Sequence, residues 1–290
     1  MKENFYKILN ILNLLDSFTN HNVRVLAYHD IVDVDKFQVQ MNFLQNSQYN
    51  IISLKQFHDF LFYKQSLPSR PVLITFDDGD ISVLEKGLPV LKKNNFPSAV
   101  FIITGLINST DTFWCRWVEI YYDEQGQLFT TARKKVNHLK TIPNKDRVAF
   151  LKSITPIESR QLSVEELQVM EINGMSIANH THTHPMVDKC TNNEIDEELK
   201  LSKYFFDKTN LKGFSFFAYP NGNWDERTEN ILLRHGIKMA FLFDHKLNSP
   251  SINPMRISRI RINSDTPLNE FKAKLSGIHS QILSLKKKFS

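Results

Sequence analysis

Eight short runs of β-branched and aromatic residues alternate with helix-patterned stretches along nearly all of the 290-residue chain. The runs fall at 23–28, 50–53, 72–76, 99–103, 175–178, 214–219, 239–243 and 258–262. Between them the apolar residues recur at helical spacing, at 36–46, 54–63, 81–94, 164–173, 193–209, 226–235 and 268–288. Local signals agree with the pattern. Ser163 stands at a helix N-cap with Glu166 at the reciprocal capping-box position, Gly174 follows that helix, and Gly236 stops the stretch before it. Parallel strands need a crossover between them, so strand–helix–strand repetition predicts an α/β chain, either a doubly wound sheet or a (β/α) barrel. No internal repeat or Pro/Gly/Ser-rich linker divides it.

One segment breaks the alternation. Residues 111–159 carry Phe113, Trp114, Trp117, Tyr121 and Tyr122, then a polar Lys-rich portion without strand signals. An ordinary βα loop takes roughly 2–6 residues, so this reads as a helical insertion on the rim of a site. Its aromatics either stack on a sugar ring or pack the insertion onto the body.

Composition narrows the function classes. Hydrophobic residues make up 41% and charged residues 23%, a globular balance that excludes a disordered chain. Two cysteines, Cys115 and Cys190, provide neither a disulfide framework nor a thiolate metal site. The net charge of +5 is confined to the end: five lysines and no acid follow Glu270, so residues 1–270 are balanced. A neutral body with a basic tail is not the charge pattern of a nucleic-acid-binding protein. Near the start, Phe5, Ile8, Leu9, Leu12 and Leu15 form one apolar helical stripe, interrupted by Asn10 and Asn13. That pattern predicts neither a secretory signal peptide nor a membrane span, and places the protein in the cytoplasm. The stripe and the tail each read as a helix packed on the body or as a peripheral contact with an anionic membrane face.

Three polar clusters stand where predicted strands end. In Thr75-Phe76-Asp77-Asp78-Gly79, two adjacent carboxylates are costly to bury unless paired or metal-bound, and their side chains point different ways. In Asn179-His180-Thr181-His182-Thr183-His184-Pro185, three of the ten histidines lie within five residues. Two histidines and a carboxylate hold a divalent ion while leaving positions open for water and substrate. The third cluster is Tyr219-Pro220-Asn221-Gly222, a strand followed by a tight turn. His29 ends the first strand, in Tyr28-His29-Asp30, as a structural or a catalytic imidazole.

The order T-F-D-D-G, H-T-x-x-H-P, Y-P-x-G resembles the polysaccharide deacetylases of the NodB-homology type, carbohydrate esterase family 4. The leading V-L-x-Y-H-D-I, followed by a helix and I-I-S-L, is similar to the branch containing poly-N-acetylglucosamine deacetylases. The resemblance spans about residues 23–262 without the insertion. It implies a distorted (β/α) barrel of seven or eight strands. Asp78, His180 and His184 match the metal ligands, usually of zinc; His182 falls on a variable position. Asp77 matches the general base, Thr75 a supporting position, and His29 the general acid, with His245 in reserve. Tyr219, Pro220 and Asn221 match the third motif, where a backbone N–H helps hold the oxyanion. Two departures stand out. Ala218 replaces an arginine that braces the catalytic aspartate, and Arg259 on the last strand is the candidate substitute. Asn221 replaces an aromatic residue that lines the substrate.

The expected organisation is an N-terminal amphipathic helix (1–22), a catalytic domain (23–265) with its insertion, and a basic C-terminal helix (266–290). The expected activity is metal-dependent removal of an N-acetyl group from an amino sugar of a surface polysaccharide. The alternatives are deacetylation of a lipid-linked or nucleotide-linked precursor, and a non-catalytic carbohydrate-binding protein.

Overall fold

Parallel pairing throughout is what the alternation predicts, and the computed structural model of the chain, which describes Tyr6 and residues 20–278, is built that way. The strands are β1 (Arg24–Tyr28), β2 (Asn50–Ile51), β3 (Pro71–Phe76), β4 (Ser98–Ile102), β5 (Met175–Asn179), β6 (Gly213–Ala218), β7 (Met239–Phe241) and β8 (Ile260–Arg261). The sheet runs β7-β6-β5-β4-β3-β1-β8, with β2 paired to the first two residues of β3. The stretch leading into β8 also bonds to β7: Ile257 N donates to Ala240 O at 2.9 Å and Leu242 N to Ile257 O at 2.7 Å. One segment thus touches both edges, and the sheet curls into a distorted barrel.

β1, β3 and β4 are buried along their whole length, as expected of parallel strands covered on both faces. Inside, Phe101 and Phe241 meet with ring centroids 5.1 Å apart, among Val25, Leu73, Ala99 and Met239. Each such fully buried side chain contributes about 1.5–3 kcal/mol relative to exposure. The outer layer packs α1 (Val34–Gln45), α2 (Leu54–Tyr63), α3 (Leu88–Lys93), α7 (Val164–Ile172), α8 (Asn192–Thr209), α9 (Glu226–Arg234) and α10 (Leu268–Leu275) around it. Capping boxes start three of these helices, at Ser53–Gln56, Ser163–Glu166 and Thr191–Glu194. At the β5–β6 step the register shifts, and Gly213 lies so close to Ile177 that a Cβ would sit 1.7 Å from its carbonyl oxygen.

Residues 111–159 contain α4 (Trp114–Glu124), α5 (Phe129–Leu139) and α6 (Asn144–Lys152). Trp114, Val118, Val136, Leu139 and Leu151 form a small core with Met186 from the barrel side. Trp117, Tyr121 and Tyr122 are half-buried and pack on that core, so these aromatics anchor the segment.

Two helix expectations change. The stretch 81–94 is a π turn at Val83–Gly87 running into α3, because Pro89 near the start of α3 has no N–H for the regular ladder. The basic C-terminal helix does not run unbroken to Lys288: α10 ends at Leu275, and Gly277 takes φ +88°. Lys272 lies over the Phe43 ring and Lys274 pairs with Glu270 at 3.2 Å, so both belong to the body. The stripe at residues 5–15, apart from Tyr6, and the final three lysines lie outside the described residues. No described helix is long and apolar enough to cross a membrane.

Candidate active site

The three polar clusters converge at the C-terminal ends of the strands, where (β/α) folds present their loops. Backbone conformation does the aiming. Asp78, Thr181, His184 and Asn221 all take left-handed φ values, 70°, 69°, 55° and 58°. Such conformations cost on the order of 1–3 kcal/mol each and persist only where neighbours enforce them. After β3, the left-handed Asp78 turns its carboxylate away from that of Asp77. After β5, Thr181 N donates to Asn179 Oδ1 and His184 N donates to Thr181 Oγ1, both at 2.9 Å. This closed turn brings His180 and His184 together, ring centroids 4.7 Å apart.

Asp78 Oδ1 lies 3.5 Å from His180 Nε2 and 3.5 Å from His184 Nε2. All three ligand atoms fall within 4.8 Å of one another. His180 Nδ1 pairs with Ala218 O at 2.8 Å, which fixes the tautomer and leaves Nε2 as a lone-pair donor. Asp78 Oδ1 is buried without a hydrogen-bond partner. Burial and then the neighbouring Asp77 push the Asp78 carboxyl up to about 8, while burial pushes both imidazoles below their ordinary value. An orphaned buried oxygen facing two neutral imidazoles is a donor set that fits a divalent cation.

Asp77 is placed for different work. Arg259 NH1 and NH2 donate to its two carboxylate oxygens at 2.6 and 2.7 Å, a bidentate pair with both side chains buried. Arg259 Nε donates to Leu242 O at 2.8 Å, and NH1 reaches Thr75 Oγ1 at 3.4 Å. Burial alone would raise the Asp77 carboxyl, but the Arg259 charge overcomes it and holds the group below the usual carboxylate range. Arg259 therefore takes up the bracing position that Ala218 cannot fill. Thr75 donates to Leu26 O at 2.7 Å and fixes the same corner.

His29 stands edge-on to Phe243, 5.6 Å between centroids. Burial lowers it to about 4, against the pull of Asp77. His29, Asp77, Asp78, His180, His184, Asn221 and Arg259 all line one cavity of about 430 Å³. Tyr219 and Pro220 do not: the Tyr219 ring is buried, its hydroxyl donating to Met255 O at 3.2 Å, so the ring supports the turn. His245 also lies off the cavity, beside Phe243, and His182 bonds to Thr104 Oγ1 at 3.0 Å. Lys140 and Arg261 carried no sequence signal, whereas Phe113 and Trp114 belong to the aromatic group of the insertion. Lys140, at the end of α5, donates to Asn221 Oδ1 at 3.0 Å, and Arg261 follows Arg259 by one pleat. Phe113 meets the His184 ring at 4.9 Å, while Trp114 Nε1 donates to His184 O at 3.0 Å.

Residues 64–240 match the family model for polysaccharide deacetylase. The chain is 25% identical over 276 residues to a poly-beta-1,6-N-acetyl-D-glucosamine N-deacetylase of Staphylococcus aureus, covering 90% of this chain and 78% of that one. The Staphylococcus epidermidis protein of the same name is 22% identical, over 79% of this chain and 67% of its own length. Among solved structures, the deacetylase PplD of Streptococcus pyogenes superposes with a TM-score of 0.65 at 20% identity, covering 89% of this chain and 99% of that one. IcaB of Ammonifex degensii gives 0.62 at 19%, covering 88% and 96%. The chain belongs to the polysaccharide deacetylase family, hydrolases acting on carbon–nitrogen bonds other than peptide bonds.

Proposed function

We propose that the protein hydrolyses the N-acetyl group of an amino sugar in a surface polysaccharide of the poly-β-1,6-N-acetylglucosamine class, with zinc held by Asp78, His180 and His184. The observation that carries this reading is the juxtaposition of two differently tuned carboxylates, Asp78 against two imidazoles and Asp77 against a guanidinium, in one cavity. A divalent ion held by Asp78, His180 and His184 would supply Lewis acidity, lowering the pKa of water and polarising the acetamide carbonyl.

The remaining steps fall to the chain's own groups. Asp77, ionised at neutral pH and fixed by Arg259, accepts the proton of the attacking water. The turn at Asn221, held in a left-handed conformation, offers its backbone toward the oxygen on which negative charge develops. An amide nitrogen leaves as an amine, so it must gain a proton, and His29 on the same cavity wall delivers it. At about 4 the free imidazole is neutral, so His29 must first take a proton from solvent, which it does as anionic charge builds beside it and raises its affinity; Asp77 returns its own proton to solvent after the product leaves. Products are acetate and a free amino group, with one proton taken by Asp77 and one given by His29.

The test is acetate release by the zinc-loaded chain from β-1,6-linked N-acetylglucosamine oligomers, compared with nucleotide-linked and lipid-linked N-acetylglucosamine. Turnover on the oligomers alone is the expected result. Preference for a linked monosaccharide would overturn the polymer assignment, and zinc binding without turnover on any substrate would overturn the enzymatic one.

A further inference from the structure

The cavity wall supplied by α4 and α5 carries three cations, and two of them are committed. Arg133 pairs with Glu119, and Arg116 lies 3.7 Å from the same carboxylate. Lys140 differs. Its ammonium makes one hydrogen bond, to the neutral Asn221 Oδ1 at 3.0 Å, and pairs with no carboxylate among the described residues. An ammonium has three N–H donors, so two remain uncommitted on a half-buried side chain that lines the cavity.

Lys140 stands at the acyl end: Asn221, to which it bonds, carries the turn read above as facing the developing oxyanion, and both residues line the cavity together with Asp78 and His184. Of the other cations of the cavity, Arg259 is bonded to both oxygens of Asp77, and Arg261 lies over the Phe243 ring, 6.0 Å from its centroid. Asn221 is itself tied from behind, Nδ2 donating to Asn223 Oδ1 at 2.9 Å and Asn223 Nδ2 to Asp188 Oδ1 at 3.0 Å. Lys140 is therefore anchored on a fixed turn and does not sweep freely through solvent.

We propose that Lys140 is the anion contact of the acyl half of the site: its ammonium meets the acetamide oxygen as that oxygen becomes negative, and then the carboxylate of the departing acetate. The assignment rests on the deacetylase reading above. A bond from a cation to an anionic oxygen gains a charge–charge attraction that a bond to a neutral carbonyl lacks, so the contact favours the charged stage and appears in kcat more than in KM.

The test uses the zinc-loaded full chain, with sodium acetate as the calorimetric probe, in wild type, Lys140→Met and Lys140→Arg. Lys140→Met is expected to bind acetate roughly tenfold more weakly, about 1.4 kcal/mol. It is expected to lose about 10- to 100-fold in kcat, with KM changed less than about threefold and zinc content unchanged. Lys140→Arg, which keeps the charge, restores most of both. Acetate binding by Lys140→Met as tight as wild type overturns the assignment. So does zinc loss in that variant, or a folded Lys140→Arg no better than Lys140→Met. A wild-type chain that releases no acetate from any sugar overturns the deacetylase reading instead, and the titration still decides whether Lys140 binds the anion.

Discussion

Replacing Arg259 with methionine removes the guanidinium bonded to Asp77 while keeping an unbranched side chain in the barrel interior. The pair is bidentate at 2.6 and 2.7 Å, and the two side chains are 0% and 4% exposed. Breaking a buried ion pair from one side leaves an uncompensated charge and costs roughly 3–5 kcal/mol. At 1.36 kcal/mol per pKa unit, that corresponds to a rise of about 2–4 units at Asp77. The sign of the pH dependence then inverts. In the wild type the carboxyl sits below its ordinary 3.8, so its stabilising contribution is present above that value and lost as pH falls through the folded pKa. In Arg259→Met the folded pKa lies above 3.8, and stability is lost as pH rises from there to the raised value. The acid limb of kcat/KM moves with it, toward neutrality. Thermal unfolding between pH 4 and 8 and the pH–rate profile of the zinc-loaded enzyme check both slopes. A variant whose acid limb and stability slope coincide with the wild type would refute the claim that Arg259 sets the state of Asp77.

Three further outcomes are expected. Asp78→Asn and His184→Ala lose bound zinc and turnover together, whereas His29→Ala keeps zinc and loses about 10²- to 10⁴-fold in rate; elemental analysis beside acetate release separates them, and equal zinc loss in all three would refute the division of roles. Gly222→Ala places a Cβ 2.5 Å from Phe243 Cβ at φ +75°. It should cost about 1–3 kcal/mol and lower kcat by displacing the Asn221 turn, read by urea unfolding and turnover; unchanged values would remove the turn from the argument. Thr191→Ala removes the capping box of α8 and should cost about 1 kcal/mol in urea unfolding with turnover intact.

Much of this was legible in the sequence because the relevant forces are local. The apolar runs at 72–76 and 99–103 return as β3 and β4 within a residue, since strands buried on both faces must be continuously hydrophobic. The Ser163–Glu166 box marked the start of α7 correctly, and the clusters holding Asp78, His180 and His184 stood out because each follows a predicted strand, the choice of these three as a set coming from the family resemblance. What escaped depends on contacts distant along the chain. Lys140 lies in a polar stretch with no periodicity and gains meaning only by reaching Asn221, 81 residues away. The outward turn of the Tyr219 ring depends on the Met255 carbonyl. The break after Leu275 was readable from Gly277, but the apolar periodicity beyond it pointed to one long helix.

The segment that completes the barrel also delivers Arg259, and this separates two competences along the direction of synthesis. Every member of the candidate Asp78–His180–His184 donor set has been synthesised by residue 184, whereas the counter-charge of Asp77 is added only at residue 259. A nascent or truncated chain ending before Ile257 keeps the metal donors but leaves a buried carboxylate without its guanidinium, and the ring without its closing strand. Asp77 itself is made early; what arrives only at the end of synthesis is the guanidinium that holds its carboxylate in place.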